Sequence, residues 1–161
     1  MLTIRPATTD DYPAIWTMLE PVIRAGEVFA LLATMTRASA LEYWFHPAHQ
    51  VFVATLESSI VGSYYLQPNQ QGGGSHIANC GYLTAEQMQG RGIARAMCEH
   101  SLNQATQLGY RAMQFNFVIS TNQGAVHLWQ QCGFRILATL PGAFQHPNEG
   151  FVDAFVMWRD L

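Results

Sequence analysis

Gln89-Gly90-Arg91-Gly92-Ile93-Ala94 is the stretch on which the fold turns. An apolar strand pattern precedes it over His76–Leu83. An amphipathic helix follows over 93–108, with Ile93, Ala94, Met97, Cys98, Leu102, Ala105 and Leu108 on one stripe. Glycines in a strand-to-helix turn let the backbone approach a ligand closely, and the helix start leaves unpaired N–H groups at the positive end of its dipole. Together these form a receptor for phosphate or pyrophosphate, to which Arg91 and Arg95 can add charge-assisted contacts. A dinucleotide fingerprint fails, because Arg95 holds the third glycine position and no acid follows at ribose distance. A P-loop fails as well: all eight basic residues are arginine, and both that loop and Schiff-base catalysis need a lysine.

Outward from this turn, strands and helices alternate. Leu2–Arg5 reads as a first strand. Thr8-Thr9-Asp10-Asp11 opens a helix carrying Ile15, Met18, Leu19 and Val22, kinked at Pro21 and closed by Gly26. A second helix starts near Thr36 and stops at Pro47. Gln50–Leu56 and Ile60–Leu66 flank the turn Glu57-Ser58-Ser59 as a hairpin. Gly72-Gly73-Gly74 predicts a flexible loop without regular structure. Beyond the long helix come a strand over Ala112–Ile119, with Met113, Phe115 and Phe117 on one face, and a short helix capped by Asn122. Phe134–Leu140 and Phe151–Arg159 are the last strands. The order βααβββαβαββ predicts a mixed α/β sheet, antiparallel at its ends.

At 161 residues and 18.0 kDa the chain is expected to form one domain over 1–161. Hydrophobic residues make up 49% and charged residues 12%, which excludes a disordered chain. The net charge of −3 leaves no basic excess for nucleic acid. No run of apolar residues is long enough to span a membrane, and no signal peptide is evident. Cys80, Cys98 and Cys132 form no CxxC and no disulfide framework, so a reducing cytoplasm is the expected home. The low charge points to an apolar surface patch, and so to self-association as a homodimer or to a hydrophobic ligand groove.

The hexapeptide resembles the Q/R-x-x-G-x-G/A motif of the GNAT superfamily of acyl-CoA-dependent N-acetyltransferases. Asn122, Leu128-Trp129 and Gly133-Phe134 resemble that family's downstream signature, and the element order resembles its order. Ser75-His76-Ile77-Ala78-Asn79-Cys80-Gly81-Tyr82 and Phe115-Asn116-Phe117-Val118 with Thr121-Asn122 resemble the fungal enzymes that acetylate proline analogues such as azetidine-2-carboxylate.

The resemblance implies acetyl-CoA as co-substrate, its pantetheine in a gap between two splayed parallel strands, His76–Leu83 and Ala112–Ile119. It implies cofactor contacts at Leu83, Thr84, Gln89, Gly90, Arg91, Gly92, Ile93, Ala94, Arg95, Asn122 and Trp129. Gly81 is the expected bulge, which assigns the oxyanion donor to the backbone N–H of Tyr82 or Leu83. Asn79 and Asn116 are polar in apolar strands; the resemblance implies that Asn79 orients substrate or intermediate and that Asn116 assists. Trp129 stands where many relatives carry an acidic tyrosine, and an indole is no practical acid. No carboxylate lies on the His76–Leu83 strand, while Glu86 and Glu27 read as surface acids. His46-Pro47-Ala48-His49 reads as loop and not as a metal site. The expected function is acetyl transfer to a small amine such as an amino or imino acid. Protein N-terminal acetylation and non-catalytic acyl-CoA binding are the alternatives.

Overall fold

A computed structural model describes all 161 residues, 1–161. The strands are β1 (Leu2–Pro6), β2 (Gln50–Leu56), β3 (Ser59–Pro68), β4 (Ile77–Thr84), β5 (Ala112–Ile119), β6 (Arg135–His146) and β7 (Gly150–Asp160). The helices are α1 (Tyr12–Ala25), α2 (Arg37–Trp44), α3 (Ile93–Gln107) and α4 (Gln123–Gln131). The element order is the expected one, in one seven-stranded sheet ordered β1-β2-β3-β4-β5-β7-β6. β4 and β5 are the only paired strands that run parallel, and α3 makes the crossover between them.

Each face of the sheet has its own core. Ile93, Met97, Cys98, Leu102 and Ala105 of α3 pack with Trp129 of α4 on one side. Ile15, Leu19 and Ile23 of α1 pack with Ala40, Leu41 and Trp44 of α2 on the other. α2 begins where Thr36 Oγ1 accepts from the Ser39 N–H at 3.1 Å. The Trp44 indole, fully buried, donates to Ser63 Oγ, which in turn donates to the Phe52 carbonyl. Cys80, Cys98 and Cys132 are all buried, all free, and all in the α3-side core.

Four expectations need correction. Gly72–Gly74 forms a short 3-10 turn, because bonds such as Gly74 N–H to the Gln71 carbonyl hold it locally. The last two strands are longer than the hydrophobic runs suggested, since β6 and β7 pair through largely exposed residues that leave little apolar signal. β4 carries no bulge at Gly81: its register against β3 is unbroken from Ala78 to Thr84. Glycine is required there because a Cβ would fall 2.5–2.7 Å from the Tyr65 ring. The irregularity sits in β5 instead, where register shifts between Phe115 and Val118. That shift takes Phe117 off the Met113 and Phe115 face and onto Phe144 of β6.

The N-terminal strand is tied to α1 by a buried carboxylate. Asp11 accepts from both Arg5 guanidinium nitrogens at 2.8 Å and from the Thr8 N–H at 2.8 Å. The Arg5 hydrogen bonds hold the Asp11 carboxyl below the usual carboxylate range, against burial, which pushes it upward. With a folded-state value below the unfolded one, the carboxylate's stabilisation is present above the ordinary aspartate range and is lost as pH falls through the depressed value. Asp11→Ala is therefore expected to cost ~1–3 kcal/mol at neutral pH, because it strands the Thr8 N–H. The deficit should shrink in acid, where the wild-type carboxyl is itself protonated; urea unfolding at both pH values checks this.

Candidate active site

The site is built where β4 and β5 part. Their parallel ladder consists of two pairs, Ile77 with Ala112 and Ala78 with Met113, and then stops. At the next position the Asn79 side chain, 8% exposed, donates from Nδ2 to the Gln114 carbonyl at 2.9 Å. That carbonyl is the acceptor the next backbone rung would have used. The amide thus closes the ladder and forms the vertex of a fork that widens toward the end of β4.

Which N–H groups face the fork follows from register. Asn69 N–H bonds the Ile77 carbonyl and Ala85 N–H bonds the Val61 carbonyl, so the bonded pairs of β3 and β4 fall on odd-numbered residues. Leu83 N–H is therefore turned to Ser63 of β3 and not into the fork. Cys80 and Tyr82 present their N–H groups on the β5 side. Of the two expected oxyanion donors, only the Tyr82 N–H has the right direction. The Tyr82 side chain is occupied in the core, with its hydroxyl on Ser101 Oγ at 2.7 Å and its ring against Trp129 and Phe115.

Beyond Thr84, a short turn leads to Gly90 and Gly92, both in the left-handed region at φ +75° and +78°. A Cβ on either would meet nothing within 4 Å. The first helical bond runs from Ala96 N–H to the Gly92 carbonyl. The N–H groups of Gly90, Arg91, Gly92, Ile93, Ala94 and Arg95 thus have no acceptor within the protein, and no side chain caps them. Six consecutive free donors at the start of a 15-residue helix fit a pyrophosphate. Asn122 stands at the start of α4 but makes no side-chain cap, contrary to expectation, which leaves its amide free.

Other expected residues lie differently. The Arg95 guanidinium donates to Gln131 Oε1 on α4 and lines a separate cavity of about 460 Å³ with Arg135 and Arg159, so only its backbone belongs to the turn. Trp129 is a core aromatic, 9% exposed, that floors the fork beneath Tyr82. Asn116 is exposed and not buried, because it sits on the irregular part of β5 at the rim. Glu27 and Glu86 are exposed, as expected.

The sequence did not reveal how far the carboxamides connect. Gln67 Nε2 donates to Asn79 Oδ1 at 3.1 Å, Asn79 holds the Gln114 carbonyl, Gln114 Nε2 donates to Asn116 Oδ1 at 2.9 Å, and Asn116 Nδ2 donates to Asn69 Oδ1 at 2.6 Å. The alternation of Ser63, Tyr65 and Gln67 on β3 was the one available signal, since it places three polar-tipped side chains on the α1–α2 face. Tyr65 covers Gly81 and stacks on His49 at 4.0 Å between ring centroids. His49, His46, Tyr43 and Gln67 line a cavity of about 200 Å³ on that face, beside the vertex. No group of three or more histidine, cysteine or acidic residues is placed to hold a metal.

Known proteins share this architecture. The sequence profile of the Acetyltransferase (GNAT) family matches residues 9–134. A GCN5-related N-acetyltransferase from Kribbella flavida is 38% identical and superposes with a TM-score of 0.95 over 99% of this chain and 98% of its own. An N-acetyltransferase of Schizosaccharomyces pombe is 28% identical over 83% of this chain and 72% of its own length. A phosphinothricin acetyltransferase from Sinorhizobium meliloti, solved in complex with acetyl-CoA, is 17% identical with a TM-score of 0.87, covering 99% of this chain and 88% of its own. With the profile spanning most of the chain and a fork and anion turn that fit the shared co-substrate, the chain belongs to the GNAT family of acetyl-CoA-dependent N-acetyltransferases.

Proposed function

We propose that the protein acetylates the amine of a small molecule that also carries a carboxylate, an amino acid or a proline-like imino acid. The observation that carries this reading is the run of carboxamides from Gln67 to Asn69 across the vertex. Each Nδ2 or Nε2 that donates within the run keeps a second N–H. These neutral donors suit a carboxylate in a region where no lysine exists and no arginine lines the cavity. A groove that takes a protein N-terminal segment would carry an acidic surface to steer it, and the net charge of this chain is only −3.

Acetyl-CoA supplies a thioester, an electrophile whose thiolate leaves readily. Gly90 to Arg95 would hold its pyrophosphate, and Leu83, Thr84, Asn122 and the fork its pantetheine arm. The Tyr82 N–H is the donor for the carbonyl oxygen. Asn79 holds the fork open and orients the acceptor, and Asn116 assists from the rim. The exposed Ile136 and Leu137 on edge strand β6 support self-association as a homodimer through that strand.

Thiol release from acetyl-CoA with a panel of amino acids, imino acids, simple amines and peptides tests the reading. Turnover is expected with carboxylate-bearing amines and not with their amides or with peptides; the opposite order would replace it with N-terminal acetylation. Gly92→Val forces a β-branched residue into the left-handed region and is expected to weaken coenzyme A binding at least about tenfold, with the fold retained, by calorimetry. Asn79→Ala frees the Gln114 carbonyl for the next backbone rung. The expected result is a loss of kcat of about 10²–10³-fold, with a stability cost no larger than ~1–3 kcal/mol. A destabilised variant with near-normal kcat would reduce Asn79 to a tie between strands.

A further inference from the structure

No carboxylate is placed to act as the base: β4 carries none, and Glu27 and Glu86 are exposed. An amine that arrives as an ammonium must still lose a proton before it can attack. His49, which shares a cavity with the vertex partner Gln67, is a ring that can take one. Its Nδ1 lies 2.9 Å from the Trp44 carbonyl. A carbonyl only accepts, so Nδ1 carries the proton and Nε2 keeps its lone pair. The one side-chain hydrogen bond acting on the ring comes from Gln67, and it favours the protonated form. Stacking at 7° on Tyr65, itself pressed against Gly81, fixes the ring plane. Gln67 belongs to both places, since it lines the cavity with His49 and donates to the vertex amide of Asn79. The cavity and the fork are thus one side chain apart, on one face of the sheet.

From this arrangement we propose that the cavity lined by Tyr43, His46, His49 and Gln67 receives the acceptor ammonium and that His49 is its base. The inference rests on the reading of the protein as an amine acetyltransferase. In the step, an N–H bond of the ammonium breaks, its electron pair stays on nitrogen, and the proton joins His49 Nε2. Two protons must leave in all: a primary ammonium has three and its amide keeps one, and a proline-like secondary ammonium has two and its amide keeps none. His49 takes the first and returns it to solvent through the cavity mouth, and the second leaves with the thiol product. The titratable groups facing His49 are His46 from its own loop, Tyr43 from α2 and Tyr65 from β3; no carboxylate or guanidinium bonds to it. Burial holds the imidazole below the usual histidine value, and His46 adds to this, against the Trp44 carbonyl and Gln67. The ring is therefore neutral and able to accept at pH 7.

The test compares wild type with His49→Gln and with His49→Phe, which keeps an aromatic ring on Tyr65. Thiol release is followed against pH for an ordinary aliphatic acceptor and for a fluorinated amine already neutral at pH 7. Wild-type kcat/KM is expected to rise through a midpoint below 6.5 and then level off, matching the His49 titration seen by NMR. In the variants it should instead track the neutral-amine fraction, about tenfold per pH unit, and lie ~100-fold below wild type at pH 7. With the fluorinated amine the loss should nearly vanish. Equal losses for both amines, or a plateau retained in both variants, overturns the proposal. Wild type that gives no thiol release above the amine-free background with either amine or with any member of the panel overturns the parent reading instead. In that case an NMR titration of His49 left unmoved by added aliphatic amine also overturns the cavity assignment, and one that moves upholds it.

Discussion

One hydrogen bond sets the geometry on which everything else depends. Parallel strands that begin to pair tend to continue, since each further rung satisfies two backbone groups. Here the Asn79 amide takes the Gln114 carbonyl first, and β4 and β5 separate after two pairs. A sheet interior does not leave backbone groups unpaired without compensation, so a fork of this kind is a demand for a ligand that brings hydrogen-bonding groups of its own. The regular β3–β4 register then decides which groups make that demand: Tyr82 faces the fork, and Leu83 does not.

The two faces of the sheet divide the labour. α3 and α4 pack one face and give the anion turn, because α3 must start where β4 ends. α1 and α2 pack the other and bring Tyr43, Trp44 and the following loop over Tyr65. On the proposed reading, co-substrate and acceptor features therefore come from different helices, with the fork between them. Gly81 is the pivot of this arrangement. Its missing side chain is what admits the Tyr65 ring against β4, and with it the His49 stack.

Periodicity and turn chemistry made most of the fold legible. The α3 stripe, the hairpin turn at Glu57-Ser58-Ser59 and the apolar strand before the glycine turn each reflect a local rule and stand where expected, except that Leu108 falls beyond the end of α3 and is exposed. The anion turn was legible for the same reason, since it needs only two glycines and a helix start. What stayed hidden depends on cross-strand register. Nothing in Gly81 itself says whether it is a bulge or a place for a neighbouring ring. Asn116 and Asn79 look alike along the chain, yet the shift in β5 puts one at the rim while the other is buried. His49 read as loop because its partners, Trp44, Tyr65 and Gln67, converge only in three dimensions.

The buried cysteines bear on the company a thioester keeps. Cys80 lies on β4, beside Tyr82, yet its thiol is in the α3-side core, where burial pushes it up to about 12. Burial raises the Cys98 thiol as well. Thiolate is the form that attacks a thioester, and at neutral pH these side chains supply next to none. A chain that also lacks lysine has no side-chain amine to compete for its own activated acyl donor. The protein is thereby shielded from labelling itself, and the acyl group waits for an acceptor that comes from outside.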